Sequence, residues 1–243
     1  MSESFIINDK ADPMGAAIYD YFRYGSAETL VVRSSMFDDD EMPVSELFRD
    51  YEHMSVLEKT ALDSAEGRVL DVGAGSGCHS LALMQMNREV KAIDISPHSV
   101  HVMKERGIDA HLINLYDPSF QEKFDTILML MNGTGIIGTL ENMPVFFNRI
   151  RDLLSPGGCV LVDSSDLRYL FEEEDGSLMI DLADDYYGLL DYQMLYKDIV
   201  GEPFDWLYVD FETLAYYAEE SGFAAELLAE GDHYDYLARL SLA

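Results

Sequence analysis

The sequence predicts an α/β fold with a doubly wound, seven-stranded mixed sheet, preceded by a helical cap and followed by further β-structure. Three observations support this prediction. Strand and helix patterns alternate from residue 68 onward, as in a parallel sheet with helices on both faces. A glycine-rich turn, GAGSG, follows the first of these strands. The chain has 243 residues, 48% of them hydrophobic, which is enough for a full core.

Residues 1–66 form the predicted N-terminal helical cap. Most of residues 13–66 have helical patterns, including an aromatic stretch at 19–24 and apolar residues at helical spacing over 44–65. An acidic turn, DDDE at residues 38–41, separates these two stretches. We therefore expect the cap to be a mainly helical addition to the core.

Residues 67–243 form the predicted core. The first five predicted strands are RVLDV, REVKAIDIS, DAHLINL, FDTILMLM and CVLVDSSD. The predicted helices between them are CHSLALMQMN, HSVHVMKERG and ENMPVFFNRIRDLL. A turn is predicted at residues 172–177. Two β runs flank residues 201–203 and predict a hairpin insertion around 185–210. An amphipathic helix, FETLAYYAEESGF, and one or two final strands complete the prediction.

The charge is strongly negative, with 46 acidic and 16 basic residues and a formal net charge of -30. Such a charge repels a phosphate backbone, so we expect no nucleic-acid partner. The acids are concentrated in the two ends of the chain, which favours a role in solubility over recognition of a cationic substrate. The sequence shows no membrane span and no signal-peptide pattern, so a cytoplasmic location is predicted.

The two cysteines, Cys78 and Cys159, show neither metal-ligand spacing nor a disulfide framework. Each lies in an apolar segment, so we expect two free, buried thiols, since a free cysteine behaves as a small hydrophobic residue. No metal site is predicted from them or from the rest of the sequence.

The glycine turn predicts a nucleotide-binding loop, because it joins an apolar strand directly to a helix N-terminus. Glycines at 73, 75 and 77 let the backbone approach a ligand closely. The dinucleotide fingerprint G-x-G-x-x-G requires glycine at 78, where this chain has Cys78. The spacing therefore disfavours NAD.

The segment VLDVGAGSG resembles motif I of the class I S-adenosylmethionine-dependent methyltransferases, whose fold is Rossmann-like. The resemblance covers about residues 67–165. Within it, the sequence is similar to that of a small bacterial family of methyltransferases whose substrates are unassigned. It implies S-adenosylmethionine as the cofactor. Asp71 would help to hold the ammonium group of the cofactor, Asp94 would bind both ribose hydroxyls, and Ile95 would pack against adenine. A carboxylate suits two vicinal hydroxyls because it offers two acceptor oxygens.

The same resemblance implies a polar residue that meets the adenine amino group after the third core strand. Asn114 stands at this position, where the family usually has an acid, and Asp117 is the alternative. The complete predicted set of cofactor-binding residues is Asp71, Gly73, Ala74, Gly75, Ser76, Gly77, Asp94, Ile95, Asn114, Leu115, Met131 and Asn132.

The fourth core strand ends at MNGTG, where open α/β sheets bind ligands. Asn132 is predicted to lie near the transferring methyl group. The Asn/Asp-Pro-Pro-aromatic motif of enzymes that methylate planar nitrogens is absent from this sequence, which argues against such acceptors. Trp206 and Tyr208 either line an acceptor pocket or pack within the hairpin, and the second alternative is favoured.

Methyl transfer needs mainly alignment and desolvation, so a dedicated base is optional. The weak candidates for a catalytic residue are His79, Asn132, Arg49 and Tyr51. His79 is the candidate base because imidazole titrates near neutral pH. A purely structural role for His79, and a surface salt bridge for Arg49, are the alternatives.

The sequence thus predicts an S-adenosylmethionine-dependent methyltransferase acting on a small-molecule acceptor. The alternatives are a non-catalytic module that binds the cofactor, an NAD-dependent oxidoreductase on a similar fold, and an aminopropyl transferase that uses a decarboxylated cofactor.

Overall fold

A computed structural model describes residues 5–172 and 185–243 of the chain. The helices are α1 (Pro13–Tyr24), α2 (Val56–Ser64), α3 (Cys78–Gln85), α4 (Pro97–Glu105), α5 (Met143–Leu153) and α6 (Phe211–Glu220). The strands are β1 (Leu30–Arg33), β2 (Asp40–Met42), β3 (Arg68–Val72), β4 (Glu89–Asp94), β5 (Ala110–Leu112), β6 (Phe124–Met129), β7 (Leu154–Ser165), β8 (Leu189–Tyr196), β9 (Ile199–Val200), β10 (Phe204–Leu207), β11 (Phe223–Glu230) and β12 (Asp235–Leu242).

The main sheet has seven strands in the order β11-β12-β7-β6-β3-β4-β5. Strands β5, β4, β3, β6 and β7 are parallel neighbours, whereas β12 and β11 are antiparallel. The predicted Rossmann-like, doubly wound mixed sheet is therefore confirmed. The chain runs from β3 to β4 and β5 on one side, and then returns to β6 and β7 on the other. The carboxyl ends of β3 and β6 thus border the crevice where such sheets bind ligands.

The central strands are continuous apolar runs because helices cover both faces of the sheet. One face contains the largest core cluster, in which Phe124, Phe146, Phe147 and Ile150 are fully buried. A second cluster on α2 and α3 covers the other face. This packing holds the strand ends, and hence the loops that follow them, in fixed positions.

The cap begins with a well-capped helix. The carboxylate of Asp12 accepts the Gly15 amide at 2.9 Å, Pro13 occupies the first turn of α1, and Gly25 ends it in a left-handed conformation. The cap also contains β1 and β2, which were not predicted, and β2 includes part of the predicted acidic turn at 38–41. Residues 44–65 form two short 3-10 helices and α2 instead of one continuous helix.

A second sheet lies apart from the main one, in the order β10-β8-β1-β2, with β9 paired to β8. The antiparallel pairing of β8 with β10 and β9 confirms the predicted hairpin. Strand β1 of the cap completes this sheet by pairing with β8, so that Val31 lies opposite Leu195. The cap and the late hairpin are therefore joined by backbone hydrogen bonds, a long-range contact that local patterns do not reveal.

The predicted turn at 172–177 lies outside the described residues except for its first position. Within the described parts of the chain, none of the helices combines the length and apolar character needed to cross a bilayer. Both cysteines there are free, and Cys159 is half-buried instead of buried. The division of the chain into a cap and a core at residue 66 stays a prediction.

Candidate functional site

The glycine loop between β3 and α3 has backbone conformations that residues other than glycine adopt only at a cost in free energy. Gly73, Gly75 and Gly77 have φ values of 67°, 57° and 81°. A Cβ atom at Gly77 would lie 2.3 Å from Cδ1 of Ile108, so this position has no room for one. At Gly75, the nearest atom to an added Cβ is Cδ1 of Ile18 in the cap, at 3.9 Å. The loop therefore faces the cap across a narrow space.

Asp94 ends strand β4 directly beside this loop. Its carboxylate accepts the amide of Gly75 at 2.8 Å and the amide of Ser96, also at 2.8 Å. Burial raises the pKa of Asp94 to about 6, and the neighbouring charges of Asp12 and Asp71 act in the same direction. Each carboxylate oxygen can accept more than one hydrogen bond, so both still have capacity for a ligand hydroxyl.

Asp71 lies within β3, beneath the start of the glycine loop, and is 2% exposed. The Ser80 hydroxyl donates to its Oδ2 at 2.6 Å. Burial raises the pKa of Asp71, although the nearby His79 charge and the hydrogen bonds from Ser80 act against this. The strand order brings Asp71 and Asp94 to the same end of neighbouring strands, as the sequence predicted for a shared ligand.

Asn114 follows β5 and lies next to Asp94, since the Ile113 amide donates to the Asp94 carbonyl at 3.1 Å. Its side-chain oxygen accepts the Tyr116 amide at 2.9 Å, and its amide nitrogen donates to the Phe5 carbonyl at 3.0 Å. Asp117, the alternative, instead holds a turn through hydrogen bonds from Ser119. The geometry thus favours Asn114 over Asp117 as the group beside the site.

Two of the predicted cofactor-binding residues, Ile95 and Leu115, differ in position. Ile95 is half-buried, and its carbonyl accepts the amide of Ile7 at 3.0 Å, so the N-terminal segment runs across this end of β4. The side chain of Leu115, in contrast, packs into the main core, and its carbonyl accepts from Arg149 at 2.6 Å. Of these two residues, Ile95 is the one that remains partly exposed, whereas Leu115 is buried.

The loop after β6 contains Met131 and Asn132, both in left-handed conformations with φ values of 68° and 57°. The Ser165 hydroxyl donates to Oδ1 of Asn132 at 2.8 Å. The carboxylate of Asp163, on β7, accepts the amides of Met131 at 3.1 Å and Gly133 at 2.9 Å. Asp163 was not predicted as a site residue. The only available signal was its place near the end of the apolar strand CVLVDSSD.

His79 and Arg49 both pair with one buried carboxylate, that of Glu58 on α2. The His79 ring lies 2.6 Å from Oε1 of Glu58, and Arg49 donates to both carboxylate oxygens. Burial disfavours the charged ring, but Cys78 and Glu58 outweigh this effect and raise the pKa of His79 to about 10. Although burial acts in the opposite direction, hydrogen bonds from His79 and Arg49 lower the pKa of Glu58 to about 2.

This arrangement is that of a buried ion network, and the raised pKa of His79 disfavours a role as a catalytic base. A histidine protonated at neutral pH cannot accept a proton from an acceptor substrate. Tyr51 points elsewhere, since its hydroxyl donates to Asp63 at 2.9 Å. Of the four weak catalytic candidates, Asn132 is thus the one that lies on a loop at the carboxyl end of the sheet.

The second sheet turns an aromatic face toward the same loop. A Cβ atom at Gly135 would lie 1.9 Å from the Trp206 ring, so the indole rests directly on the segment after Asn132. The hydroxyls of Tyr192 and Tyr208 are 3.0 Å apart. All three aromatic side chains are half-buried, so they retain surface that a bound molecule could cover. Trp206 and Tyr208 pack against Phe204 and Tyr192 of the hairpin, as the favoured alternative predicts, and their role in an acceptor pocket stays a prediction.

The described residues contain no group of three or more His, Cys, Asp or Glu side chains that could hold a metal ion. What they do offer is a loop in which residues 73, 75 and 77 carry no Cβ atom, a carboxylate beside it, and a polar amide after the next strand. This set fits an adenosyl ligand, because the glycines leave room for it and the Asp94 carboxylate can accept hydrogen bonds from ribose hydroxyls.

Comparison with known proteins agrees with this fit. A family model described as a methyltransferase domain matches residues 69–158. A crystal structure of an S-adenosylmethionine-dependent methyltransferase from Bacteroides fragilis, in complex with S-adenosyl-L-homocysteine, is 59% identical to this chain. The match covers 100% of both chains, with a TM-score of 0.95.

More distant relatives are also methyltransferases. An uncharacterized methyltransferase of Staphylococcus carnosus is 28% identical over 169 residues, which are 65% of this chain and 80% of that protein. The CcbJ methyltransferase of Streptomyces caelestis shares the fold alone, at 16% identity and a TM-score of 0.59, with 79% of this chain and 95% of that one covered.

Proposed function

Since the chain belongs to the S-adenosylmethionine-dependent methyltransferases, we propose that it transfers the methyl group to a small-molecule acceptor bound beneath the aromatic face of the second sheet. The cofactor is S-adenosylmethionine. The observation that carries the acceptor proposal is the half-buried face formed by Tyr192, Trp206 and Tyr208, which contacts the segment after Asn132 through Trp206 and Gly135. This membership decides against the NAD-dependent oxidoreductase.

The proposed cofactor contacts follow the carboxyl ends of the strands. Asp94 would accept the two ribose hydroxyls, and Asp71 would act on the ammonium group from beneath the loop. The side-chain carbonyl oxygen of Asn114 would accept a hydrogen bond from the adenine amino group, and Ile95 would cover the adenine ring. The remaining predicted contacts belong to the two loops and the segment after β5: Gly73, Ala74, Gly75, Ser76, Gly77, Leu115, Met131 and Asn132.

When bound, the cofactor supplies a methyl carbon that is already activated by a sulfonium. The protein then has to align the acceptor with that carbon and exclude water. Asn132 and the aromatic face of the second sheet are the groups proposed to do so. Because His79 is held as a cation by Glu58, we assign it no proton transfer, and the acceptor would lose its proton to solvent.

The charge of the chain supports a small molecule over a nucleic acid. A formal net charge of -30 opposes approach of a phosphate backbone. Arg49 is paired with Glu58 and Arg168 with Asp166, whereas Arg106 donates to the carbonyl and the hydroxyl of Ser76 in the glycine loop. An acceptor with an exposed polyanionic surface would therefore meet repulsion at the crevice. A cytoplasmic location stays a prediction.

A turnover screen tests this proposal. The protein would be incubated with S-adenosylmethionine and, separately, with pools of small metabolites, peptides and oligonucleotides, and release of S-adenosylhomocysteine would be measured. We expect release above the acceptor-free control in at least one small-molecule pool. Release with oligonucleotides or peptides alone would contradict the proposed acceptor class, and binding without release in every pool would favour the non-catalytic alternative.

The pH dependence of cofactor binding should follow Asp94. The ribose hydroxyls need an ionised acceptor, and the pKa of Asp94 is raised to about 6 by burial and by the charges of Asp12 and Asp71. We expect the affinity for S-adenosylhomocysteine, measured by calorimetry, to be constant above pH 7 and to weaken as the pH falls through about 6. An affinity that is unchanged down to pH 5 would contradict this role for Asp94.

A further inference from the structure

The loop after β6 is held in an unfavourable conformation by a residue outside it. Met131 and Asn132 are consecutive non-glycine residues with φ values of 68° and 57°. A left-handed conformation costs a residue such as Met131 about 1 to 2 kcal/mol, whereas asparagine adopts it more readily, so Met131 in particular needs compensating contacts. The loop is also the place where the sequence predicted Asn132 to lie near the transferring methyl group.

Asp163 supplies these contacts from the neighbouring strand. Its Oδ2 accepts the amide of Met131 at 3.1 Å, and its Oδ1 accepts the amide of Gly133 at 2.9 Å. The two hydrogen bonds bracket Asn132. An ionised acceptor makes such bonds roughly twice as strong as neutral ones. Because strand β7 is fixed in the core, the carboxylate gives the loop a rigid anchor.

Two further contacts point the loop toward the crevice. The Ser165 hydroxyl, two residues after Asp163, donates to Oδ1 of Asn132 at 2.8 Å. The side chain of Met131 packs against the cap cluster that contains Ile18 and Tyr196. The side chain of Asn132 is therefore oriented by Ser165 on β7, while the side chain of Met131 is held by the cluster that contains Ile18.

We propose that Asp163 is a positioning residue that holds the Met131–Asn132 loop so that the site distinguishes the methylated cofactor from its demethylated product. This inference rests on the proposed function, in which Asn132 lies at the methyl group. S-adenosylmethionine and S-adenosylhomocysteine share adenine, ribose and amino acid, and differ only in the methyl group and the charge on sulfur. A residue that acts through this loop should thus affect the binding of the two molecules unequally.

Binding of both molecules to Asp163→Asn and to the wild-type protein would be measured by calorimetry. The asparagine amide offers one acceptor oxygen and places donors against the loop amides, so the loop should relax. We expect S-adenosylmethionine to bind about tenfold more weakly and S-adenosylhomocysteine no more than about threefold more weakly. In the cofactor-free variant, hydrogen exchange at the Met131 and Gly133 amides should become faster.

Asp125→Asn is the matched control, since the Asp125 carboxylate also accepts a backbone amide, that of Arg68 at 2.8 Å, but at the opposite end of the sheet. It should leave the ratio of the two affinities unchanged. Ser165→Ala is a second variant that keeps the carboxylate, and it should shift the ratio in the same direction as Asp163→Asn.

The wild-type protein offers a test without any substitution. Burial raises the pKa of Asp163 to about 6, and the charged or titratable groups that act on it are His79 on α3, Tyr208 directly after β10 and Tyr236 on β12. Asp94 titrates in the same range, but its ribose contact is common to both molecules and cancels in the ratio. Preference for S-adenosylmethionine should therefore decline below pH 6.

The outcomes separate the two proposals. Equal weakening of both molecules by Asp163→Asn, or no weakening of either, would overturn the positioning role and leave the proposed function intact. A wild-type protein that binds neither molecule would overturn both. A ratio that shifts in Asp163→Asn and Ser165→Ala but not in Asp125→Asn would support the inference.

Discussion

Replacing Asp94 by alanine is expected to weaken the binding of S-adenosylhomocysteine by about a hundredfold or more. Two hydrogen bonds from ribose hydroxyls to an ionised carboxylate are worth about 1.5 to 3 kcal/mol each, and 1.4 kcal/mol corresponds to a tenfold change in affinity. The substitution also removes the acceptor that holds the Gly75 amide at 2.8 Å, so the glycine loop loses a constraint at the same time. Calorimetry with the purified variant measures this effect.

Asp117→Ala is the control for this prediction. Asp117 was the alternative adenine contact, but its carboxylate accepts from Ser119 in an exposed turn, and these hydrogen bonds lower its pKa. We expect its affinity to stay within about threefold of the wild type. If Asp94→Ala bound the product as well as Asp117→Ala does, the assignment of the ribose contact to Asp94 would be refuted.

The largest effect on stability is expected for Glu58→Ala. Glu58 is 6% exposed, and its carboxylate is the shared partner of two buried cations, His79 and Arg49. Removing one member of a buried ion network leaves the remaining charges unpaired, at a cost of about 3 to 5 kcal/mol. The variant also loses the capping box in which Ser55 and Glu58 exchange hydrogen bonds at the start of α2. Urea unfolding would measure the change in the free energy of unfolding.

The chain provides a matched control in Glu105, which pairs with Arg23 at 2.6 Å and with His101 at 2.8 Å. This is the same chemical triad on the surface of α4, where solvent screens the charges. We expect Glu105→Ala to cost less than about 1 kcal/mol. Equal costs for the two variants would mean that burial adds nothing to the Glu58 network.

The pH dependence of the Glu58 network has a definite sign. The pKa of Glu58 is lowered from 4.5 to about 2, so its contribution is complete above pH 4.5 and is lost as the pH falls toward 2. The pKa of His79 is raised from 6.5 to about 10, so its contribution is complete below pH 6.5 and is lost as the pH rises toward 10. The stability difference between wild type and Glu58→Ala should therefore be largest between pH 4.5 and 6.5.

The carboxyl edge of the sheet was predictable because its elements are local in sequence. Strand β3, the glycine loop and α3 are contiguous, and the apolar run before Gly73 specifies a buried strand. Asp94 could be assigned from its position at the end of the next strand, and the structure places it within hydrogen-bonding distance of Gly75. Parallel strands bring their carboxyl ends to one edge, so residues distant in sequence become neighbours there.

The second sheet was predictable only in part, because its pairing is long-range. The hairpin of β8 and β10 joins segments that are close in sequence, and the two β runs around residues 201–203 predicted it. Strand β1 is more than 150 residues away from β8, and its four residues carry no signal for that pairing. The contact between cap and hairpin is a property of the folded chain.

By itself, the sequence determined the order of strands and helices in the core, the glycine loop, and the carboxylates at the ends of β3 and β4. These depend on local spacing and on backbone preferences that are written into neighbouring residues. Only the tertiary structure decided that His79 is a buried cation paired with Glu58, and that Asp163 supports the loop of Asn132. The charge state of a side chain and the hydrogen bonds that hold a loop depend on which groups from different strands and helices come into contact. Burial also changes the pKa of a side chain by an amount that its sequence neighbours do not specify.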